Sequence, residues 1–126
     1  MVRKKILKPD RVRSIKGGFS FIPHRFVSDG FLESLSAPEL LLYLFLVAVS
    51  DRYGLSFYSD ESICALLHIT FENYQTARKG LIQKDLIDFD GILFQVLELP
   101  AGAGWASVLS SGYRRALQKL ICGGVT

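Results

Sequence analysis

Hydrophobic residues recur with a helical period in two neighbouring stretches between residues 59 and 84. In the first stretch, Ile63, Leu66 and Leu67 stand at i, i+3 and i+4, which predicts a short helix with one buried face. Ser59 precedes this stretch, and its hydroxyl can accept a hydrogen bond from a free backbone N–H in the first turn. The pattern therefore predicts a helix that begins directly after Ser59.

The second stretch predicts a longer helix from about residue 71 to about residue 84, capped by Thr70. Tyr74, Ala77 and Leu81 form its inward face, because they recur at i, i+3 and i+7. At about 100° per residue, the polar side chains that gather on the opposite arc are Glu72, Gln75, Thr76, Lys79 and Gln83. Side chains of these types exchange hydrogen bonds with base edges and phosphates.

Short alternating stretches predict a small sheet beside these helices. Residues 86–96 predict a β-hairpin that turns tightly at Asp90-Gly91. Residues 55–58 predict a short strand that can join the same sheet, and residues 19–22 alternate in the same way. The strands of this small sheet are therefore expected on both sides of the helical pair in the sequence.

Two further helices are predicted before residue 55. Ser36 and Glu39 form a capping box, which opens a helix over about residues 36–51. A shorter helix is expected over residues 26–35, where Gly30 weakens the pattern.

Residues 40–49 are apolar on every side of their helix, although a surface helix would show a polar stripe. Ten residues are too few to span a bilayer, so a transmembrane segment is not expected. This helix needs cover on two sides, and the 59–84 segment supplies one side. The other cover is either a second subunit, which would make a homodimer, or the C-terminal helix predicted from about residue 107. The apolar positions of that C-terminal helix are Leu109, Tyr113, Ala116, Leu117, Leu120 and Ile121.

Composition and charge divide the chain into three parts. A length of 126 residues with 49% hydrophobic and 21% charged residues is typical of one globular domain. The net charge of +3 is unevenly placed, because residues 1–16 carry +6 and the remaining residues carry −3. We expect a basic arm over residues 1–18, a domain over 19–99, and a linker with a helix over 100–126. Such an arm suits nucleic acid first and an anionic membrane second, unless it is only a solvated tail.

Enzymatic chemistry finds no support in the sequence. The glycine pairs lack the context of a phosphate-binding loop, and the histidines and cysteines lack metal-ligand spacing. We therefore expect no enzyme, no cofactor, no metal site and no small-molecule substrate. Cys64 and Cys122 form no disulfide framework, and no apolar signal-peptide region follows the charged start. These features favour a cytoplasmic protein.

The order of the predicted elements resembles the winged helix-turn-helix superfamily. The resemblance spans about residues 19–99 and rests on LSAPEL at 35–40, SDESICALLHIT at 59–70 and KGLIQKDLI at 79–87. The FSFIPHRF segment at 19–26 is similar to small bacterial, plasmid and phage members, which include replication-initiator-type proteins and transcription regulators. The resemblance implies a mostly α fold with a small β-hairpin: a three-helix core, a short antiparallel sheet and, here, an extra C-terminal helix.

The same resemblance implies binding of double-stranded DNA, with residues 71–84 as the recognition helix and residues 86–98 as the wing. Asn73, Gln75 and Thr76 would then read base edges, and Arg78 and Lys79 would contact phosphates. The remaining candidate contacts are Gln83 on the exposed arc and Arg3, Lys4 and Lys5 in the arm. The function would be that of a sequence-specific transcriptional regulator or of a replication or mobile-element accessory factor. The alternative is a winged-helix protein-interaction module that binds no DNA.

Three positions depart from the pattern of that superfamily. His68 replaces the usual glycine of the turn, so it must adopt the dihedral angles that the turn requires. Arg78 stands where an aliphatic residue is common, and we expect its stem to lie along the edge of the core. Asp88 and Asp90 lie in the predicted wing and repel phosphate. The basic arm would therefore supply the phosphate contacts that the wing lacks.

Overall fold

The computed structural model of the protein describes residues 3–101. Its helices are α1 (Arg25–Ser28), α2 (Phe31–Ser34), α3 (Ala37–Val49), α4 (Asp60–Leu67) and α5 (Phe71–Gln83), and its strands are β1 (Leu55–Ser56), β2 (Ile87–Phe89) and β3 (Phe94–Val96). The predicted class, mostly helical with a small antiparallel sheet, is confirmed. The predicted C-terminal helix and most of its linker lie outside the described residues.

Helix α3 lies at the centre of the core. It begins where predicted, because Ser36 accepts from the Glu39 backbone N–H while the Glu39 carboxylate accepts from the Ser36 N–H. Its inward side is fully buried at Leu42 and Leu46, and Tyr43 stacks on Phe26 with ring centroids 4.9 Å apart. Helix α5 crosses this inward side, so α3 positions the helix that carries the predicted contacts.

The sheet has three strands in the order β1-β3-β2, and both pairings are antiparallel. The hairpin is confirmed, but its expected two-residue turn is wrong. Phe89 pairs with Phe94, which leaves four residues in the loop. The Asp90 carboxylate closes the loop by accepting from the backbone N–H groups of Ile92 and Leu93 at 2.8 and 2.7 Å. A side-chain acceptor thus sets the turn type here.

Two predictions before residue 37 need correction. Residues 19–22 form no strand, and the side chains of Phe19 and Phe21 are 68% and 75% exposed. A strand needs a neighbour with free backbone groups, and among the described residues this segment has only a 3.4 Å bond from the Ser20 hydroxyl to the Ser50 carbonyl. The helix expected over 26–35 is split into α1 and α2, because Gly30 adopts a left-handed φ of 86°.

Candidate nucleic-acid interface

Local capping sets the geometry of the α4–turn–α5 segment. The Ser59 hydroxyl accepts from the Ser62 N–H at 3.1 Å, and the Thr70 hydroxyl accepts from the Asn73 N–H at 3.1 Å. Between the helices, His68 adopts left-handed angles of φ 56° and ψ 45°. The turn therefore has the backbone conformation that usually favours glycine. His68 adopts it, as predicted from its position in the turn.

The inward and outward faces of α5 are divided as predicted. Tyr74, Ala77 and Leu81 are fully or almost fully buried, and they pack into the core beneath the helix. In α4, by contrast, Ile63 is buried while Leu66 is exposed, so the expectation that Leu66 belongs to the buried face is wrong. Helix α5 is the better anchored of the two.

The outward residues of α5 form an uninterrupted polar row, which we call the α5 polar face. It consists of Glu72, Gln75, Thr76, Lys79 and Gln83, of which only Gln75 is half-buried and the rest are exposed. Asn73 is also exposed, but at about 100° per residue it lies on the flank of this face. Within residues 3–101 none of these six side chains takes part in a hydrogen bond or an ion pair. The face is therefore available to a partner from outside the described chain.

Arg78 is placed differently from the other predicted contacts. Its side chain is only 17% exposed, and its guanidinium lies 4.6 Å from the Phe89 ring centroid and 5.1 Å from that of Tyr74. One guanidinium nitrogen donates to the Tyr74 hydroxyl at 3.2 Å and to an Asp60 carboxylate oxygen at 3.4 Å. Arg78 thus joins α4, α5 and β2, and its stem lies along the core edge as expected.

The phenol of Tyr74 completes this connection. It donates to Asp60 Oδ1 at 2.6 Å from a ring that is fully buried in the core. Burial, and next the hydrogen bond to Asp60, raise the pKa of Tyr74 to about 12. The phenol therefore stays protonated and keeps donating at any physiological pH.

The hairpin presents negative charge beside α5. Asp88 and Asp90 are both exposed. The backbone N–H groups of Leu93 and Ile92 hold the pKa of Asp90 below its ordinary value, so its carboxylate stays ionised. Two ionised carboxylates at this position would repel a phosphate group.

The basic arm stands apart from the folded body. Arg3, Lys4 and Lys5 are exposed, and so is every other residue from 3 to 18. Residues 19–101 carry a net charge of −6, so the arm holds the main positive charge among the described residues. The structure does not bring the arm cations into contact with the α5 polar face.

Sequence reasoning missed the contact that fixes α5 against α3. Lys84 Nζ donates to Glu39 Oε1 at 2.7 Å and to the Ser34 carbonyl at 2.8 Å. Gly80 lies at the crossing, where a Cβ would overlap the Glu39 carboxylate. The capping box pointed to Glu39, but nothing local paired it with residues 80 and 84, which are more than forty positions away.

Residues 3–101 contain neither a metal-binding cluster nor a membrane-spanning helix. No cluster of three or more His, Cys, Asp or Glu side chains in this range has the arrangement needed to hold a metal ion. In the same range, no helix combines the length and the apolar character that crossing a membrane requires. Comparison of the chain with models of protein families, with curated proteins and with solved structures finds no match.

Proposed function

We propose that the protein binds double-stranded DNA sequence-specifically, with α5 in the major groove and the basic arm on the backbone. The observation that carries this proposal is the α5 polar face, which is exposed and has no partner among residues 3–101. The order α3, β1, α4, α5 and the β2–β3 hairpin resembles that of a winged helix-turn-helix domain, and this resemblance supports the proposal.

Helix dimensions fit this placement. An α-helix with its side chains is about 10–12 Å wide, and the major groove is about 12 Å wide. Asn73, Gln75 and Thr76 lie in the first half of α5, the part of a recognition helix that usually faces base edges. Asn and Gln side chains can pair bidentately with adenine. Lys79 and Gln83 lie further along α5 and would contact phosphates.

Arg78 and Asp60 would act on this interface by positioning α5. Their contacts hold the recognition helix at a fixed angle to α4 and the hairpin, so the reading side chains keep one register. A direct phosphate contact by Arg78 stays a prediction, since the guanidinium would have to leave Asp60 to make it.

Most of the affinity for DNA is expected to come from the positive charge of the arm. The α5 polar face carries one cation, Lys79, and one anion, Glu72, and the body around it is acidic. Each phosphate that is neutralised contributes about −0.9 to the slope of log K against log salt. Removing Arg3, Lys4 and Lys5 is expected to flatten this slope by up to about 2.7.

Selection of binding sites from a random duplex pool, followed by gel-shift titration over a salt series, tests the proposal. Lys79→Ala should weaken binding to all sequences and reduce the salt slope by about one. Gln75→Ala should relax preference at one base pair at a cost of about 1–3 kcal/mol. Arg52→Ala is the charge-matched control, because Arg52 lies outside the α5 polar face and is expected to leave sequence preference unchanged. Absence of duplex retention at low salt, or a preference insensitive to Gln75→Ala, would refute the proposal.

A second candidate function is a protein-interaction module. Two observations favour it: the exposed apolar side chains of Leu66, Phe71 and Ile82 on α4 and α5, and the negative charge of the hairpin. In that case the gel-shift titration shows no duplex binding even at low salt. Substitution of Phe71, and not of Lys79, then abolishes binding of the protein partner.

A further inference from the structure

A groove of about 620 Å³ opens beside the C-terminal end of α3. Its walls are residues 19–21 with Pro23, the turn over residues 50–54, and residues 96–99 at and after the end of β3. Phe19, Phe21 and Tyr53 line it with largely exposed aromatic rings. Exposed aromatic side chains around one groove indicate that something apolar fills it.

An exposed apolar stripe runs along α3 next to this groove. Its members are Ala37, Leu41, Leu44 and Ala48, spaced i, i+4, i+7 and i+11, and we call it the α3 outer stripe. Leu41 and Leu44 remain 43% and 41% exposed, so the cover expected on the second side of this helix is absent among residues 3–101. Val47 lines the groove and Ala48 ends the stripe, so the groove and the stripe lie about 100° apart around the same end of α3.

The chain leaves the described region at the groove itself. Leu99 is buried in the groove wall, and the Arg25 guanidinium donates to the carbonyl groups of Leu99 and Pro100. Residues 102–126 follow, and they begin with a short glycine and alanine linker to Trp105, the one tryptophan of the chain. At about 3.3–3.6 Å per residue, the five steps along the chain from Pro100 to Trp105 can reach about 17 Å. Because Leu99 itself lines the groove, Trp105 is close enough in the chain to reach it.

We propose that the chain's own C-terminal segment, residues 105–121, docks on this surface in cis. In this proposal the groove receives the aromatic ring of Trp105, and the α3 outer stripe receives the apolar residues that follow it in the sequence. These apolar residues include Leu109, Tyr113, Ala116 and Leu120, which repeat the i, i+4, i+7, i+11 spacing of the stripe. Two apolar rows of equal length and spacing can face each other over three turns.

Charge complementarity supports the same occupant. Residues 102–126 contain three cations, Arg114, Arg115 and Lys119, and no acidic residue. The body over residues 19–101 carries a net charge of −6. In the groove itself Asp51 and Glu98 are balanced by Arg25 and Arg52, so the attraction comes from the body as a whole. Opposite net charges favour docking of this segment on the body.

The short linker favours cis docking over capture by a second copy. A tether of only a few residues gives an effective concentration of about a millimolar, well above the concentration at which a protein is handled in solution. The segment of the same chain therefore occupies the surface first. In this arrangement the α3 outer stripe is covered within one subunit, and it is no longer free to form a homodimer.

Fluorescence of the full-length protein tests the proposal, because its tryptophan emission reports Trp105 alone. We expect blue-shifted emission, several-fold lower acrylamide quenching than for a free tryptophan amide, and no dependence on protein concentration. Phe21→Ser removes one groove wall and should raise quenching toward the free value. Ile92→Ser, at an equally exposed apolar position on the hairpin loop, is the matched control and should leave quenching unchanged.

A second variant tests the stripe independently of the groove. Leu44→Lys should speed hydrogen exchange of the backbone amides of residues 109–121 several-fold while exchange in the α3 core stays slow. Fully quenchable Trp105 in the unmodified protein would overturn the proposal. Protection that appears only as concentration rises, together with dimers in sedimentation, would also overturn it and assign the surface to a second copy.

Discussion

Gly80→Ala is predicted to destabilise the protein although alanine is the better helix former. In an unconstrained helix interior this change stabilises by about 0.5–1 kcal/mol. Here the new Cβ would overlap Oε2 of Glu39, a side chain that is almost completely buried between α3 and α5. The other oxygen of this carboxylate, Oε1, accepts from the Ser36 N–H at 2.8 Å and from Lys84 Nζ at 2.7 Å, so a movement that makes room for the Cβ weakens both contacts.

The expected size of the effect follows from those two partners. Loss of the capping interaction costs about 0.5–2 kcal/mol, and loss of a partly exposed ion pair costs about 0.2–1 kcal/mol. After the gain in helix propensity, the free energy of unfolding should fall by about 1 kcal/mol, which corresponds to a Tm lower by about 4–8 °C. Gln83→Ala on the exposed side of α5 is the control and should stay within about 0.5 kcal/mol of the original protein.

Urea denaturation followed by circular dichroism measures this difference, and a double-mutant cycle identifies its cause. In a Glu39→Ala background the overlap is gone, so Gly80→Ala should stabilise by about 0.5–1 kcal/mol. The sign of the Gly80 effect therefore reverses when Glu39 is removed. A higher urea midpoint for Gly80→Ala alone, or the same sign in both backgrounds, would refute the reasoning.

Three further predictions concern the α4–turn–α5 segment. His68→Gly should raise the free energy of unfolding by about 0.5–1 kcal/mol in urea titration, because glycine adopts the left-handed turn without strain; an unchanged midpoint would contradict this. Between about pH 10 and about pH 12 the unfolded phenol loses its proton while buried Tyr74 retains it, so stability should fall as the pH rises through this window. Tyr74→Phe should flatten that fall in pH-dependent melts, and an equally steep fall in the variant would count against it. Arg78→Lys should lower the free energy of unfolding by about 1 kcal/mol, since a lysine cannot reproduce the stacking on Phe89 together with the hydrogen bonds. Lys79→Ala is the control at the exposed neighbouring position and should change the free energy of unfolding by less than about 0.5 kcal/mol. Equal losses for both variants would contradict the structural role given to Arg78.

The starts of the main helices were predictable from the sequence because the interactions that set them are local. Ser36 with Glu39, Ser59 and Thr70 each cap the helix that follows directly, so the necessary partners lie within three residues. The exposed polar row of α5 was predictable for a related reason, since helical periodicity alone separates it from the buried row.

The tertiary structure decided the features whose partners are distant in the chain. Residues 19–22 alternate like a strand, yet they find no pairing edge among the described residues and leave Phe19 and Phe21 exposed. Arg78 looked like a phosphate contact on one helix, but the fold places Phe89 and Asp60 around its guanidinium. Residue types and spacing thus determined which segments are helical and which side of α5 is exposed. Which polar side chains are bound within the protein, and which remain available to a partner, depended on neighbours that only three-dimensional packing brings together.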